Sequence, residues 1–252
     1  MRISFRSCAS LHDSAHNRYM REMFTRIAGM YDRLNHVLTL GVDVLWRKRA
    51  LARLAGMGCL DVSNGGSILD LATGTADFAI LAAKKFASAR VTGVDLTPAM
   101  LEVGRQKVER AGLSSRIVLK EGDASSLPCA DASFDVVICA FGFRNFLNRD
   151  VALAEVRRVL KPGGRLLVLE LFRPQSRLLG GLTSAWLRRV APFFAGKARQ
   201  DYAYLRSSIG NTCSSAEFIE NARSKGLSDE FLTFFLPVCS CLLFQKCDTI
   251  TI

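Results

Sequence analysis

Five short apolar runs mark the middle of the chain: residues 67–72 (SILDLA), 90–95 (RVTGVD), 116–120 (RIVLK), 134–140 (FDVVICA) and 165–170 (RLLVLE). Each is rich in leucine or β-branched residues and bounded by turn formers, the pattern of a strand buried on both faces. Between them lie segments with helical spacing of apolar positions, residues 77–86, 98–111 and 149–160. Pro98 opens the second of these, where a missing N–H is harmless, and the third stops at Lys161-Pro162-Gly163-Gly164. Such alternation of strand and helix predicts an α/β fold with a doubly wound, mostly parallel sheet. Its crossovers are right-handed, and its ligand belongs at the carboxyl ends of the strands, near the switch in strand order.

The flanks follow other rhythms. Residues 18–54 are amphipathic with helical spacing and break near Gly41, which predicts an N-terminal helical cap over 18–60; residues 1–17 are expected to be disordered. The core that binds a cofactor is assigned to 67–170. Beyond it, residues 172–206 carry seven Arg or Lys against the single acid Asp201, and the segment 172–210 is read as a helical lid. Ser214 caps a further helix that ends at Gly226, and apolar runs at 230–236 and 238–245, parted by Pro237, predict a terminal antiparallel pair. Residues 18–252 are thus read as one domain, the C-terminal helix and strands occupying 214–245.

Composition narrows the picture. A chain of 252 residues can bury a substantial core. Its eight cysteines contain no Cys-x-x-Cys pair and its three histidines, His12, His16 and His36, all precede the first strand, so no metal site is expected and the thiols are read as reduced. No apolar run has the length of a membrane span, and the first twenty residues lack the apolar stretch of a signal peptide, so a cytoplasmic protein is expected. A net charge of +11 favours an anionic partner, either nucleic acid or an acidic bilayer surface.

The candidate chemistry sits where the sheet predicts it. Asp70 lies in the first strand, Gly74 and Thr75 make the following turn, and the first turn of the next helix offers free N–H groups to a carboxylate or phosphate. Asp95 ends the second strand, where its carboxylate can accept from two ribose hydroxyls. These features suit NAD and S-adenosylmethionine alike. The next loops discriminate: Gly122-Asp123-Ala124 follows the third strand, where a carboxylate can accept from an adenine amino group, and Ala140-Phe141-Gly142-Phe143-Arg144-Asn145 follows the fourth. No G-x-G-x-x-G turn is present for a pyrophosphate, which favours S-adenosylmethionine.

With these motifs in view, the chain resembles the C-methyltransferases of ubiquinone and menaquinone biosynthesis from about Phe24 to Arg206. Tyr31-Asp32-Arg33-Leu34-Asn35 with Trp46-Arg47 resembles that family's opening signature, Phe141 to Asn145 resembles its F-G-x-R-N loop, and Arg158 to Glu170 resembles its second signature. The resemblance implies a class I S-adenosylmethionine-dependent methyltransferase fold of seven strands with an antiparallel C-terminal strand. It also implies cofactor contacts at Asp70, Gly74, Thr75, Asp95, Asp123, Ala124 and Ala140. The implied reaction is methylation of demethylmenaquinol, a polyprenyl quinol, to menaquinol. Arg144 would stabilise the phenolate that forms on the ring, Asn145 would orient the quinol oxygen, and Tyr31, with Asp32, would close the cap over the methyl donor. A bilayer-soluble substrate gives the basic lid a use as a membrane contact, which would make the protein peripheral at the inner face of the cytoplasmic membrane. No nucleic-acid partner is expected; a homodimer is compatible with the sequence.

The sequence also departs from the family pattern. Ala76 replaces a glycine, Asp43 a histidine, Ala140 a common serine and Phe172 a serine, and the C-terminal end lacks the family's Leu-Thr-x-Gly. Other readings are a polyprenyl benzoquinol acceptor, a nucleic-acid or other small-molecule methyltransferase, and a scaffold that binds the cofactor without catalysis. Ala76 is expected at a negative φ. A left-handed Ala76, or a side chain projecting into the amino-acid end of the cofactor, would favour the scaffold.

Overall fold

The computed structural model describes residues 9–39, 41–57, 65–173, 212–236 and 239–247. The segment read as a basic lid lies almost wholly outside the described residues, as do residues 1–8. Before the sheet come three helices, α1 (Ala9–Ile27), α2 (Tyr31–Leu38) and α3 (Val42–Gly56). The core follows as β1 (Ser67–Leu71), α4 (Asp77–Lys85), β2 (Arg90–Asp95), α5 (Pro98–Arg110), β3 (Ile117–Glu121), β4 (Phe134–Ala140), α6 (Arg149–Val159) and β5 (Leu160–Leu171). The chain then forms α7 (Ser215–Ser224), β6 (Leu227–Leu236) and β7 (Cys239–Lys246).

Seven strands form one sheet in the order β3-β2-β1-β4-β5-β7-β6. The pairings among β1 to β5 are parallel, and β7 runs antiparallel to both its neighbours. This is the expected doubly wound class I methyltransferase architecture, and β1 and β4 sit side by side at its switch point. Alternation along the strands builds two cores. Ile68, Val136, Ile138 and Leu167 face α3 and α4, while Leu69, Val137, Leu166 and Val168 face α6 and α7. Both faces of the central strands are covered, so their sequences read as continuous apolar runs.

Local signals explain the helix ends. Ser214 Oγ accepts from the Glu217 amide at 3.2 Å while the Glu217 carboxylate accepts from the Ser214 amide at 2.7 Å, a reciprocal cap. Asn148 caps α6 through the Val151 amide at 3.1 Å. Gly41, at φ +74, lets the chain turn from α2 into α3, the break expected there.

Two expectations are corrected. Order begins well before residue 18, because Ala9–Ile27 is one helix whose Met20, Met23 and Ile27 are buried. It packs on α5, and Arg21 pairs with Glu121 of β3 at 2.7 Å. Ala76 is left-handed, at φ +65. Its amide donates to the Thr73 carbonyl at 2.9 Å and its carbonyl accepts from the Ile80 amide, so the tight turn and the start of α4 together impose this conformation. The cost is about 1–2 kcal/mol for a residue with a Cβ. The methyl group is fully buried on the α5 side, near Gly104, and does not project into either cavity beside the loop.

The cap is pinned by a polar hub. Lys107 of α5 donates to Asp32 of α2 at 2.7 Å, to Thr75 Oγ1 at 3.2 Å and to Asp77 at the start of α4. One ammonium thereby bridges two carboxylates on elements brought together only by folding. Lys107→Met is expected to lower stability by about 1–2 kcal/mol, with the gap narrowing in 1 M salt because the hub is partly exposed. Urea midpoints at low and high salt measure this, and equal midpoints for the two proteins would contradict it.

Candidate active site

Two loops at the carboxyl ends of β1 and β4 set the geometry. Ala72, Ala76 and Phe141 all have positive φ, at 56°, 65° and 61°, in a fold where side chains normally avoid that region. The loops touch closely: a Cβ added to Gly142 would fall 2.7 Å from the Ala72 Cβ and 2.8 Å from Cys139 Sγ. Strain of this kind persists where surrounding packing over-determines the backbone, and it clusters at functional loops.

A solvent-open cleft of about 780 Å³ lies over these loops. Gly74, Asp95, Asp123, Ala124 and Ala140 line it, and Tyr31 and Asn145 also contribute. Behind the Gly74 turn lies a smaller cavity of about 310 Å³, lined by Asp70, Thr75 and Arg47 among others. Tyr31, Ala72, Gly74 and Ala140 line both spaces. The residues expected to hold a cofactor therefore fall into two adjoining groups.

The carboxylates are held by backbone donors. Asp95 Oδ2 accepts from the Gly74 amide at 2.9 Å and Oδ1 from the Thr97 amide at 2.8 Å, which fixes its orientation between two loops. Burial raises the Asp95 pKa, against the lowering effect of those amides. Asp123 Oδ1 accepts from the Ser125 amide at 2.8 Å and Oδ2 from Asn17 Nδ2 at 2.5 Å. Asp70, 1% exposed, accepts from Thr73 Oγ1 at 2.6 Å, and burial pushes its carboxyl up to about 7.

Thr75 faces away from the main cleft; its hydroxyl donates to Asp32 at 2.6 Å and so joins the loop to α2. The Tyr31 ring sits over the Gly74 turn and meets Phe24 edge to face at 5.9 Å. Burial raises its pKa, so at neutral pH the phenol keeps its proton and can donate. Asn145 is oriented by its amide, which donates to the Gly142 carbonyl at 3.0 Å, and by His16, whose Nε2 lies 3.0 Å from the Asn145 carbonyl.

Arg144 stands differently from its expected place at the substrate. Its guanidinium is 5% exposed and does not line the cleft. It donates to Glu170 Oε1 at 2.7 Å and to the Phe141 carbonyl at 2.8 Å, and its own amide donates to Glu170 Oε2 at 3.2 Å. A buried charge is retained only with such partners, and here the pairing ties the loop after β4 to the end of β5. Arg144 is thus a positioning residue in this geometry. Trp46 is core, packed 6.5 Å from the Phe141 ring.

Sequence reasoning places a helical cap here but does not assign the residues of α1 that reach the cleft. Asn17, Met20 and Phe24 all line it. Their spacing of i, i+3 and i+7 is one helical face, a signal available in the sequence but diluted by the polar residues around it.

The smaller cavity offers a test of whether a zwitterionic group belongs there. Arg47, 5% exposed, gives one nitrogen to Asp43, while its Nε is buried without a hydrogen-bond partner among the described residues. The cavity also holds two acids, Asp70 and Asp77, the second paired with Lys107, and Arg47 together with Asp70 fits the amino-acid end of S-adenosylmethionine.

Comparison with known proteins extends this. The profile of the ubiE/COQ5 methyltransferase family matches residues 12–233. The chain is 44% identical over 194 residues to a protein of Deinococcus radiodurans named demethylmenaquinone methyltransferase, covering 75% of this chain and 77% of that protein. It is 39% identical over 213 residues to a Geobacter sulfurreducens protein named ubiquinone/menaquinone biosynthesis C-methyltransferase UbiE, covering 83% and 81%. Among solved structures it is similar in fold to a SAM-dependent methyltransferase from Aquifex aeolicus, with TM-score 0.54, 16% identity and coverage of 79% and 97%.

The Asp70 carboxyl gives a pH test of the site. Unfolded, it titrates near pH 4, and folded, near 7, so between these values the folded chain binds the extra proton. Its contribution is therefore most favourable below pH 4 and falls as pH rises towards 7. Relative to wild type, Asp70→Asn is expected to gain on the order of 2–4 kcal/mol from pH 4 to pH 8. Urea midpoints of the two proteins across that range measure the gap, and a gap that does not vary with pH would contradict it.

Proposed function

Because the chain belongs to the ubiE/COQ5 methyltransferase family, we propose that it methylates a ring carbon of a polyprenyl quinol, with demethylmenaquinol as the acceptor. It is an S-adenosylmethionine-dependent methyltransferase. The observation that carries the acceptor class is the mixed lining of the cleft. Asp95, Asp123 and the Gly74 turn supply polar groups suited to a nucleoside, and Met20, Phe24, Phe146 and Leu147 supply apolar surface suited to an aromatic ring. The naphthoquinol is favoured by relatives named for it at 44% and 37% identity. The dual name of the relative at 39% keeps a benzoquinol as the second reading.

The cofactor supplies an activated methyl group on sulfonium, so the protein mainly positions two reactants and manages one proton. Asp95 and Asp123 bind the nucleoside, and Ala124 and Ala140 leave room beside it. The ring carbon forms its bond to the methyl group as the sulfonium C–S bond breaks, and the ring hydrogen it replaces leaves as a proton to solvent through the open cleft. Tyr31, protonated at neutral pH, donates a hydrogen bond to the quinol oxygen, and Asn145 orients the ring. Arg144 acts through the loop: paired with Glu170 and the Phe141 carbonyl, it holds Asn145 and Ala140 at the mouth of the cleft. Contact with a membrane surface is assigned to the basic segment 172–206. Its charge and the solubility of the substrate support this. Among the described residues no helix is long and apolar enough to cross a membrane.

The test is transfer of labelled methyl from S-adenosylmethionine to short-chain demethylmenaquinol, run beside a benzoquinol of matched tail. Methylation of the naphthoquinol is expected at a rate at least tenfold higher. Tyr31→Phe is expected to lower turnover by roughly tenfold to a hundredfold, with cofactor affinity within about threefold of wild type. Cofactor binding without transfer to either quinol would return the scaffold reading that the left-handed Ala76 raises.

A further inference from the structure

Arg47 lines the smaller cavity, and the proposed reaction leaves its charge unused. It sits on α3, and its guanidinium lies 5.1 Å from the centroid of the Phe141 ring. Asp43, 1% exposed, accepts from one of its nitrogens and is itself held by Thr39 Oγ1 at 2.9 Å, so the fork has a fixed place. The other cation at this end of the loop is committed elsewhere: Lys107 serves Asp32, Thr75 and Asp77. The buried Nε of Arg47 has no partner among the described residues. A buried N–H without an acceptor is unfavourable, and the same guanidinium lines the cavity, so an oxygen-bearing guest there would meet a cation whose hydrogen-bonding capacity Asp43 does not exhaust.

We propose that Arg47 receives the carboxylate at the amino-acid end of S-adenosylmethionine. The inference rests on the reading that the cofactor occupies the adjoining cleft. A guanidinium presents several donors in a planar fork matched to a carboxylate, and charge-assisted bonds in a buried site are the strong ones. The cavity adjoins the cleft, with Gly74 and Ala140 lining both, so the amino-acid end of a ligand in the cleft is directed towards Arg47. Asp43, standing where the family pattern has histidine, becomes the residue that holds the receiving arginine in place.

The test is calorimetric binding of S-adenosylmethionine and of its decarboxylated form to the full chain. Wild type is expected to prefer the carboxylate-bearing ligand by roughly tenfold to a hundredfold. Arg47→Met is expected to lose most of that preference while binding the decarboxylated form within about threefold of wild type. Because this change strands Asp43, the double variant Asp43→Asn with Arg47→Met is measured too and should show the same loss. Arg47→Lys, which keeps the charge, should retain a reduced preference. A preference that survives in a folded Arg47→Met or double variant, or its absence in wild type, overturns the inference alone. Failure of wild type to bind either ligand overturns the cofactor reading along with it.

Discussion

The buried ion pair between Arg144 and Glu170 is the constraint on which the site depends. Glu170 ends β5, and its two oxygens take the Arg144 guanidinium, the Arg144 amide and the Leu171 amide. The guanidinium reaches on to the Phe141 carbonyl. This grip helps keep Phe141 at a positive φ, and its ring then meets Trp46 and Arg47 of α3. One pair thereby joins the sheet, the loop after β4 and the N-terminal cap. Losing one partner would leave the other charged and buried, at a cost of about 3–5 kcal/mol.

From that junction the division of labour follows. The sheet supplies acids at fixed heights, because β1 and β2 run in register from Ser67 opposite Arg90 to Leu71 opposite Val94. The cap adds to the lining: α1 brings apolar side chains to the cleft, and α2 brings Tyr31 over the Gly74 turn. Backbone strain at Ala72, Ala76 and Phe141 is concentrated where the two parts meet. The core on either side of the sheet over-determines those loops, which is the condition under which such strain survives.

The sheet was legible because its signals are local and periodic. Runs such as FDVVICA and RLLVLE declare buried strands, and Asp95 and Asp123 follow from their position at strand ends. What escaped depends on contacts between distant parts of the chain. That α1 begins at Ala9 and reaches the cleft is decided by Asn17 meeting Asp123, more than a hundred residues away. Arg144 looks like a free cation in sequence, since nothing local says that Glu170 lies opposite it in the folded sheet. Ala76 was misjudged because alanine usually shuns positive φ, whereas the turn from Thr73 and the start of α4 impose it. Arg47 reads in sequence as one more helix-surface cation beside Trp46; its burial and unpaired Nε exist only in the folded chain.

The account's central claim is that the cap and the two strained loops together form the cofactor site. Amide hydrogen exchange on the full chain, with and without S-adenosylhomocysteine, tests it most directly. The account predicts slowed exchange at residues 72–76, 95–97, 123–125 and 140–146, and in α1 around Asn17 to Phe24. Binding of the ligand with no protection at these loops, or with protection confined to other parts of the sheet, would contradict it.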